Sequence, residues 1–312
     1  MKRFCFFTVI LTALGYLFFF PQKAFLASVN GLNLWFHTVL PSLLPFLILS
    51  DFLIHTGLIP RLLNHFRSFF QKFLGLSPYG GYALCLGLFC GYPMGAKLTA
   101  DLYRENKISK DEAQYLLTFS NNASPMFITS YILLNTLKLQ GYTLATFCIL
   151  YTSSFLTSFL FRILYHRFQI EDSAKEEEIS VRVSLTRLID SSIMNGFETI
   201  TRLGGYIILF SIGASMILQL TASFSGLSLF LPGIVEITTG IHEIAATSLD
   251  IHVKYLSILT ITSFGGISAL AQTKGMLNGT PLSITNYFIG KLINAFWTLL
   301  LGLLFPIVQS IV

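Results

Sequence analysis

The chain has 312 residues, of which 53% are hydrophobic and 11% are Asp, Glu, Lys or Arg, against roughly 25% charged residues in an ordinary soluble domain. So few charges cannot cover a water-exposed surface. Several apolar runs reach the about 20 residues that a helix needs to cross a bilayer. The sequence therefore predicts an all-α integral membrane protein with about eight to ten membrane segments. The net charge of +5 is spread over segments that flank apolar runs and forms no aromatic-interleaved basic motif, which excludes nucleic acid as a partner.

In chain order, Lys2 and Arg3 open an apolar run over 4–20. The run partly imitates a secretory signal, but it is longer than most signal cores and the rest of the chain is itself apolar, so residues 1–20 read as a retained first helix. Residues 24–54 are too long for one span and contain Pro41 and Pro45, which predicts a short helix and then a spanning one, with a kink or break between. Over 60–74, Leu62, Leu63, Phe66, Phe69, Phe70 and Phe73 recur at helical spacing while Arg61, His65, Arg67 and Lys72 take other positions. That pattern predicts an interfacial amphipathic helix with Pro60 in its first turn.

Residues 79–97 are glycine-rich and predict a re-entrant hairpin or a broken span. A capping box, Ser109 to Glu112, lies in the charged stretch that follows. Residues 115–134 are apolar but interrupted, and 143–164 form a span. The stretch 165–190, with Glu176, Glu177 and Glu178, reads as a polar linker between a first membrane half, 1–164, and a second, 191–312. The second half holds a span core at 207–220, interrupted segments at 231–240 and 264–274, and a final span over 284–308.

Unwound backbone within a bilayer is tolerated only where protein buries it or a watery cavity reaches it. The four interrupted segments are therefore the candidate site. In the first, Gly87, Gly91 and Gly95 are spaced by four, Pro93 frees a carbonyl, and Lys97 brings a cation near. Glycine packing with Lys97 snorkelling to the interface is the alternative there. The second carries Ser120, Asn121, Asn122, Ser124 and Pro125, costly in lipid-exposed helix, although a polar loop outside the membrane would tolerate them too.

The third holds Pro232, Glu236, Thr238, Thr239 and Gly240. An isolated intramembrane carboxylate marks a proton or cation site unless it lies at the interface, so Glu236, with Thr238 and Thr239, is the candidate coupling position. His242 and Glu243 do not complete a zinc-protease motif, because position 246 is Ala. The fourth holds Gly265, Gly266, Ser268, Gln272 and Lys274. Laid without gaps on 89–102, residues 264–277 match at four of fourteen positions, which suggests two repeat-like halves of the kind that inverted-repeat carriers use. The substrate-binding set read from these segments is Tyr92, Lys97, Asn121, Asn122, Ser124, Ser268, Gln272 and Lys274. The helix breaks are placed at Gly91, Pro93, Gly95, Pro125, Pro232, Gly240, Gly265 and Gly266.

Asp51 and His55, one helical turn apart, are left outside the site. Cys5, Cys85, Cys90 and Cys148 stand in apolar segments without a CxxC pair or ligand cluster, so neither a metal site nor a cofactor is predicted. Paired carboxylates, nucleophile elbows and phosphate loops are absent from the sequence, which speaks against an enzyme.

The motif over 90–97, the run 120–125 and the stretch 232–240 together resemble a family of sporulation integral membrane proteins. That family is grouped with proteins carrying a nucleoside-recognition Gate domain, similar in architecture to concentrative nucleoside transporters. The resemblance implies a carrier of dipicolinic acid, a planar aromatic dianion, across the outer forespore membrane of an endospore-forming bacterium. Lys97, Lys274, helix N-termini and the Asn and Ser groups would suit its carboxylates, and Tyr92 would stack on its ring. A transporter of nucleosides or another small metabolite is the alternative, and a non-transporting membrane scaffold in sporulation is a second. The expected partners are membrane lipid, a small anionic substrate and a coupling Na+ or H+, with a homo-oligomer left open.

Overall fold

The computed structural model describes residues 2–56, 64–164, 185–221 and 227–304, and among them every regular element is helical. Helix α1 (Lys2–Phe19) meets α2 (Pro21–Leu34) at Phe20, where the axis bends by 108°. Pro21 stands in the first turn of α2, a position where a missing N–H costs nothing. The prolines at 41 and 45 do not break the chain as the sequence suggests. Instead α2 passes through a wide π-type turn, Trp35–Val39, into α3 (Leu40–Thr56). The carbonyl that Pro41 cannot engage and would crowd belongs to His37, inside that widened turn, so the strain is absorbed as extra winding rather than as a break.

Short helix α4 (Arg67–Leu74) leads at 82° into α5 (Pro78–Cys90). Phe70 and Leu74 are buried while Phe66, Phe69 and Phe73 stay exposed, the split of a helix lying along a surface; Pro60, Arg61, Leu62 and Leu63 fall outside the described residues. Arg162 closes the C-terminal end of α4 by donating to the carbonyls of Lys72 and Phe73. Ser77 caps α5, its Oγ accepting from Gly80 N at 3.1 Å.

Helices α5 and α6 (Met94–Arg104) form a hairpin. A Cβ built on Gly87 would sit 2.9 Å from Gly95 Cα, whereas eight residues of straight helix would part them by about 12 Å. Next, α7 (Lys110–Leu117) and α8 (Phe127–Leu137) are two parts of one broken path, unwound over 118–124, followed by α9 (Thr143–Leu164). The long α10 (Leu185–Thr221) lies along α2 and α3, where its Gly204 receives the Trp35 ring and Trp35 Nε1 donates to Ile200 O at 2.8 Å.

The order then recurs. Helices α11 (Leu227–Val235) and α12 (Ile237–Ala246) fold back on each other so closely that a Cβ on Gly240 would lie 2.1 Å from Gly233 Cα. Helices α13 (Ile251–Phe264) and α14 (Gly266–Met276) are a span broken at Gly265, and α15 (Ile284–Leu304) is unbroken. Hairpin, broken span and continuous span thus occur twice, in the same sequence order. The gap-free match of 264–277 on 89–102 pairs a hairpin tip with a span break, elements of different kinds.

Four paths, 143–163, 185–221, 251–276 and 284–304, are long and apolar enough to cross a membrane, and up to six if the two bent pairs each make a span. Among the described residues this makes four to six spans, against the eight to ten membrane segments expected from the sequence. The broken span over 251–276 is the most enclosed, 61% buried against 28–44% for the others, so the protein is built around it. Of the expected linker 165–190, residues 165–184 lie outside the described residues, and 185–190 are already the first turns of α10.

Candidate functional site

Each hairpin is pressed onto the break of the span that follows it. In the first half, Ser120 O lies 2.3 Å from where a Cβ on Gly87 or on Gly95 would be. The unwound backbone therefore runs in the notch between α5 and α6, which only glycine at both positions leaves open. In the second half, a Cβ on Gly266 would stand 3.2 Å from Ile234 O and 3.4 Å from Gly233 O, so the Gly265–Gly266 break abuts the α11–α12 hairpin. Gly265 and Gly266 have φ of 87° and 76°, a backbone that side chains disfavour.

Asn121 joins the two halves. Its Nδ2 donates to Thr273 Oγ1 on α14 at 3.1 Å and to Tyr287 Oη on α15 at 2.9 Å. Its carbonyl accepts from Lys291 Nζ at 3.0 Å, and its Oδ1 accepts a longer bond, 3.4 Å, from Ala96 N near the start of α6. Asn122 is held by Phe119 O and Ser154 Oγ, and Asn294 Nδ2 donates to its Oδ1 at 3.3 Å. Ser153 Oγ donates to Asn294 Oδ1 at 2.7 Å and accepts from Thr298 Oγ1 at 2.8 Å. Tyr287, Lys291, Asn294 and Thr298 are all buried and recur at spacings of four, three and four, so one face of α15 is a polar stripe turned to the breaks.

The hairpin tips converge on the same region. Glu236, 4% exposed, caps α12. Its carboxylate accepts from Thr238 N at 3.2 Å, Thr239 N at 2.8 Å, Thr239 Oγ1 at 3.0 Å and Thr238 Oγ1. The other tip carries Tyr92, whose buried hydroxyl has no hydrogen-bond partner and lies within electrostatic reach of Glu236 and Tyr287. Tyr131 of α8 donates to Thr238 O at 3.2 Å, tying the first broken span to the second tip. Ser120 Oγ and Thr262 Oγ1 are likewise buried without partners. A cavity of about 10 Å³, room for about one water, opens among Asn122, Thr262, Ser263 and Asn294.

Of the residues singled out from the sequence, the structure gathers Tyr92, Asn121, Asn122, Ser124, Glu236, Thr238 and Thr239 around the breaks at Gly91, Pro93, Gly265 and Gly266, with Pro125 just past the unwound segment; Gly95 and Gly240, expected as breaks, lie inside α6 and α12, where the missing side chain serves close packing instead. Ser124 Oγ accepts from Phe127 N at 3.2 Å, capping α8. Ser268 and Gln272 are buried and bonded to each other at 3.0 Å on α14, and Pro232 is buried within α11.

The two lysines go elsewhere. Lys97 pairs with Asp101 at a separate cleft of about 350 Å³ between α3, α6 and α10, which Asp51, His55, Arg104 and Arg202 also line. Lys274 is exposed in the last turn of α14. Lys291, Tyr287 and Asn294 were not singled out from the sequence, since the run over 284–308 reads as a plain final span. The signal was present as a lone lysine in an apolar run, with polar residues at helical spacing on either side.

Paired hairpins and broken spans around a buried polar core describe an all-α integral membrane protein. Within its first half, residues 36–165 match the family model described as Gate, nucleoside recognition. The chain is similar to the sporulation integral membrane protein YlbJ of Bacillus subtilis (strain 168), with 29% identity over 307 residues, covering 88% of this chain and 75% of the relative. No solved structure matches it.

Proposed function

We propose that this chain is a membrane carrier of a small anionic solute, with dipicolinic acid crossing the outer forespore membrane during sporulation as the leading substrate. The observation that carries the reading is the convergence of two hairpin tips on two span breaks around the buried Lys291. Breaks expose helix N-termini, and the residues that precede α6 and α14, Pro93 and Gly265, provide no side-chain cap; such ends favour anions. Similarity to a protein named for sporulation supports the biological setting.

In this reading Asn121 and Asn122 supply polar contacts, and Tyr92, whose hydroxyl lacks a partner, faces the substrate ring. Ser124, Ser268 and Gln272 stand ready to exchange their internal bonds for substrate. The two halves act as an inverted repeat, each hairpin gating one side of the breaks. Release of the Glu236 cap exposes its carboxylate to a coupling proton, with Thr238 and Thr239 as the groups that close it again.

A nucleoside substrate is the second reading, favoured by the Gate match over 36–165. Uptake of labelled dipicolinate into sealed vesicles bearing the purified chain, with uridine and a simple dicarboxylate as competitors, separates the two. Saturable dipicolinate uptake that uridine leaves unchanged supports the first. Uptake of uridine alone supports the second, and transport of neither solute points to a scaffold.

A further inference from the structure

Lys291 is 1% exposed and belongs to both breaks at once. Its stem passes the second, since a Cβ on Gly265 would lie 3.8 Å from Lys291 Cε, and its ammonium reaches the first, donating to Asn121 O at 3.0 Å. None of the ion pairs among the described residues involves Lys291. The buried carboxylate at the neighbouring tip, Glu236, already receives donors from Thr238 and Thr239. A charge buried this deeply is costly unless it is placed against compensating dipoles. The compensation here is carbonyl oxygen released by unwinding, the ligand type that gathers a hard cation such as sodium at broken helices.

We propose that the Lys291 ammonium is the resident, tethered cation of the two breaks, filling the place that a coupling sodium ion would otherwise take, so that this carrier works without sodium. An ammonium on a stem brings its positive charge on a tether and needs no binding step. It has three N–H donors, one of them engaged by Asn121 O, which leaves donors for a carboxylate of the substrate. The transport arm of this inference rests on the carrier reading, whereas its structural arm does not.

Thermal unfolding of the purified full chain, in sodium chloride and in choline chloride at equal ionic strength, tests the structural arm. The wild-type melting temperature is expected to be the same in both salts. Lys291→Ala is expected to melt lower and to be raised by sodium or by methylammonium, relative to choline, because the emptied position then accepts a free cation. A saturable rise of the wild-type melting temperature with sodium would overturn the proposal, and this arm stands even if the variant does not fold. So would a Lys291→Ala protein that melts like wild type and ignores both cations.

In vesicles, dipicolinate uptake is expected to agree within about twofold between the two salts, and a stimulation by sodium of about tenfold, a 1.4 kcal/mol effect, would overturn the proposal. Absence of uptake in both salts, together with sodium-independent melting, removes the carrier reading and leaves the tethered cation in place.

Discussion

Asn294 of α15 donates through Nδ2 to Oδ1 of Asn122 at 3.3 Å, joining the last span to the unwound segment of the first half. Both side chains are buried, and Ser153 secures the far side of Asn294. Asn294→Leu therefore strands Asn122 Oδ1, while Ser153 Oγ still has Leu150 O and Thr298 Oγ1 as partners; a stranded buried group costs about 1–3 kcal/mol. The variant is expected to melt several degrees lower in detergent; a melting temperature equal to wild type would show that the two halves are not held through this bond.

Glu236→Gln tests the second tip. The carboxylate accepts from two amides and two hydroxyls, and a glutamine amide retains one acceptor oxygen while adding an NH₂ donor against those same groups. The start of α12 should loosen by about 1 kcal/mol, in the range of a lost N-cap, seen as faster amide exchange at 238–240. Uptake should fall sharply while the protein remains in the membrane. Undiminished uptake would remove Glu236 from the transport cycle.

Gly95→Ala is expected to be far more damaging than Gly205→Ala. At Gly95 the new methyl would lie 2.3 Å from Ser120 O, a backbone atom, whereas at Gly205 nothing stands within 4 Å. Overpacking of a tight site typically costs about 1–3 kcal/mol, occasionally more. The measurement is the yield of monodisperse protein after detergent extraction, and equal yields for the two variants would mean that the hairpin does not clasp the unwound segment as described.

Much of this site was legible because its local chemistry is unusual. Consecutive asparagines and a lone glutamate are costly in lipid-facing helix, and they mark a break and a tip, while the glycines spaced by four line the notch that receives Ser120. Their pairing was not legible. Whether 79–97 folds back or continues depends on the approach of Gly87 to Gly95, a contact that follows from three-dimensional packing against Ser120. The prolines misled in the opposite sense: Pro41 and Pro45 break strong local rules, yet the widened turn at Trp35–Val39 keeps the helix whole. Lys291 is hidden in the sequence because apolar composition dominates its long run, and the stripe it shares with Tyr287 and Asn294 gains meaning only from the packing of α15 against α9 and α13.

The lysines that the sequence put forward lead to a clean comparison. Lys274 is exposed, and Lys97 is paired with Asp101 away from the breaks. Lys274→Ala should leave the KM for the transported anion within about twofold of wild type, well under the 1.4 kcal/mol that a tenfold change represents. A large rise in KM would bring Lys274 back to the substrate path and would require α14 to turn in another state of the cycle.

Arg104 shows how the two halves are locked on the side of the charged cleft. Its guanidinium donates through Nη2 to the carbonyls of Met276 and Asn278, both at 2.7 Å, and through Nη1 to Asp101 at 2.8 Å. The end of the first hairpin, in α6, thus satisfies carbonyls at the end of the second broken span, in α14, where unpaired C=O groups and the helix dipole both favour a cation. If the hairpin moves relative to that span during transport, this clasp has to open. Arg104→Ala should therefore speed amide exchange over 277–280. Arg104→Lys should restore only part of the protection, because an ammonium lacks the planar fork that spans two acceptors. Exchange unchanged in Arg104→Ala would show that the loop after α14 is held by other bonds, such as Ser283 N to Gln114 Oε1 at 2.6 Å, and would place the moving joint between the halves elsewhere.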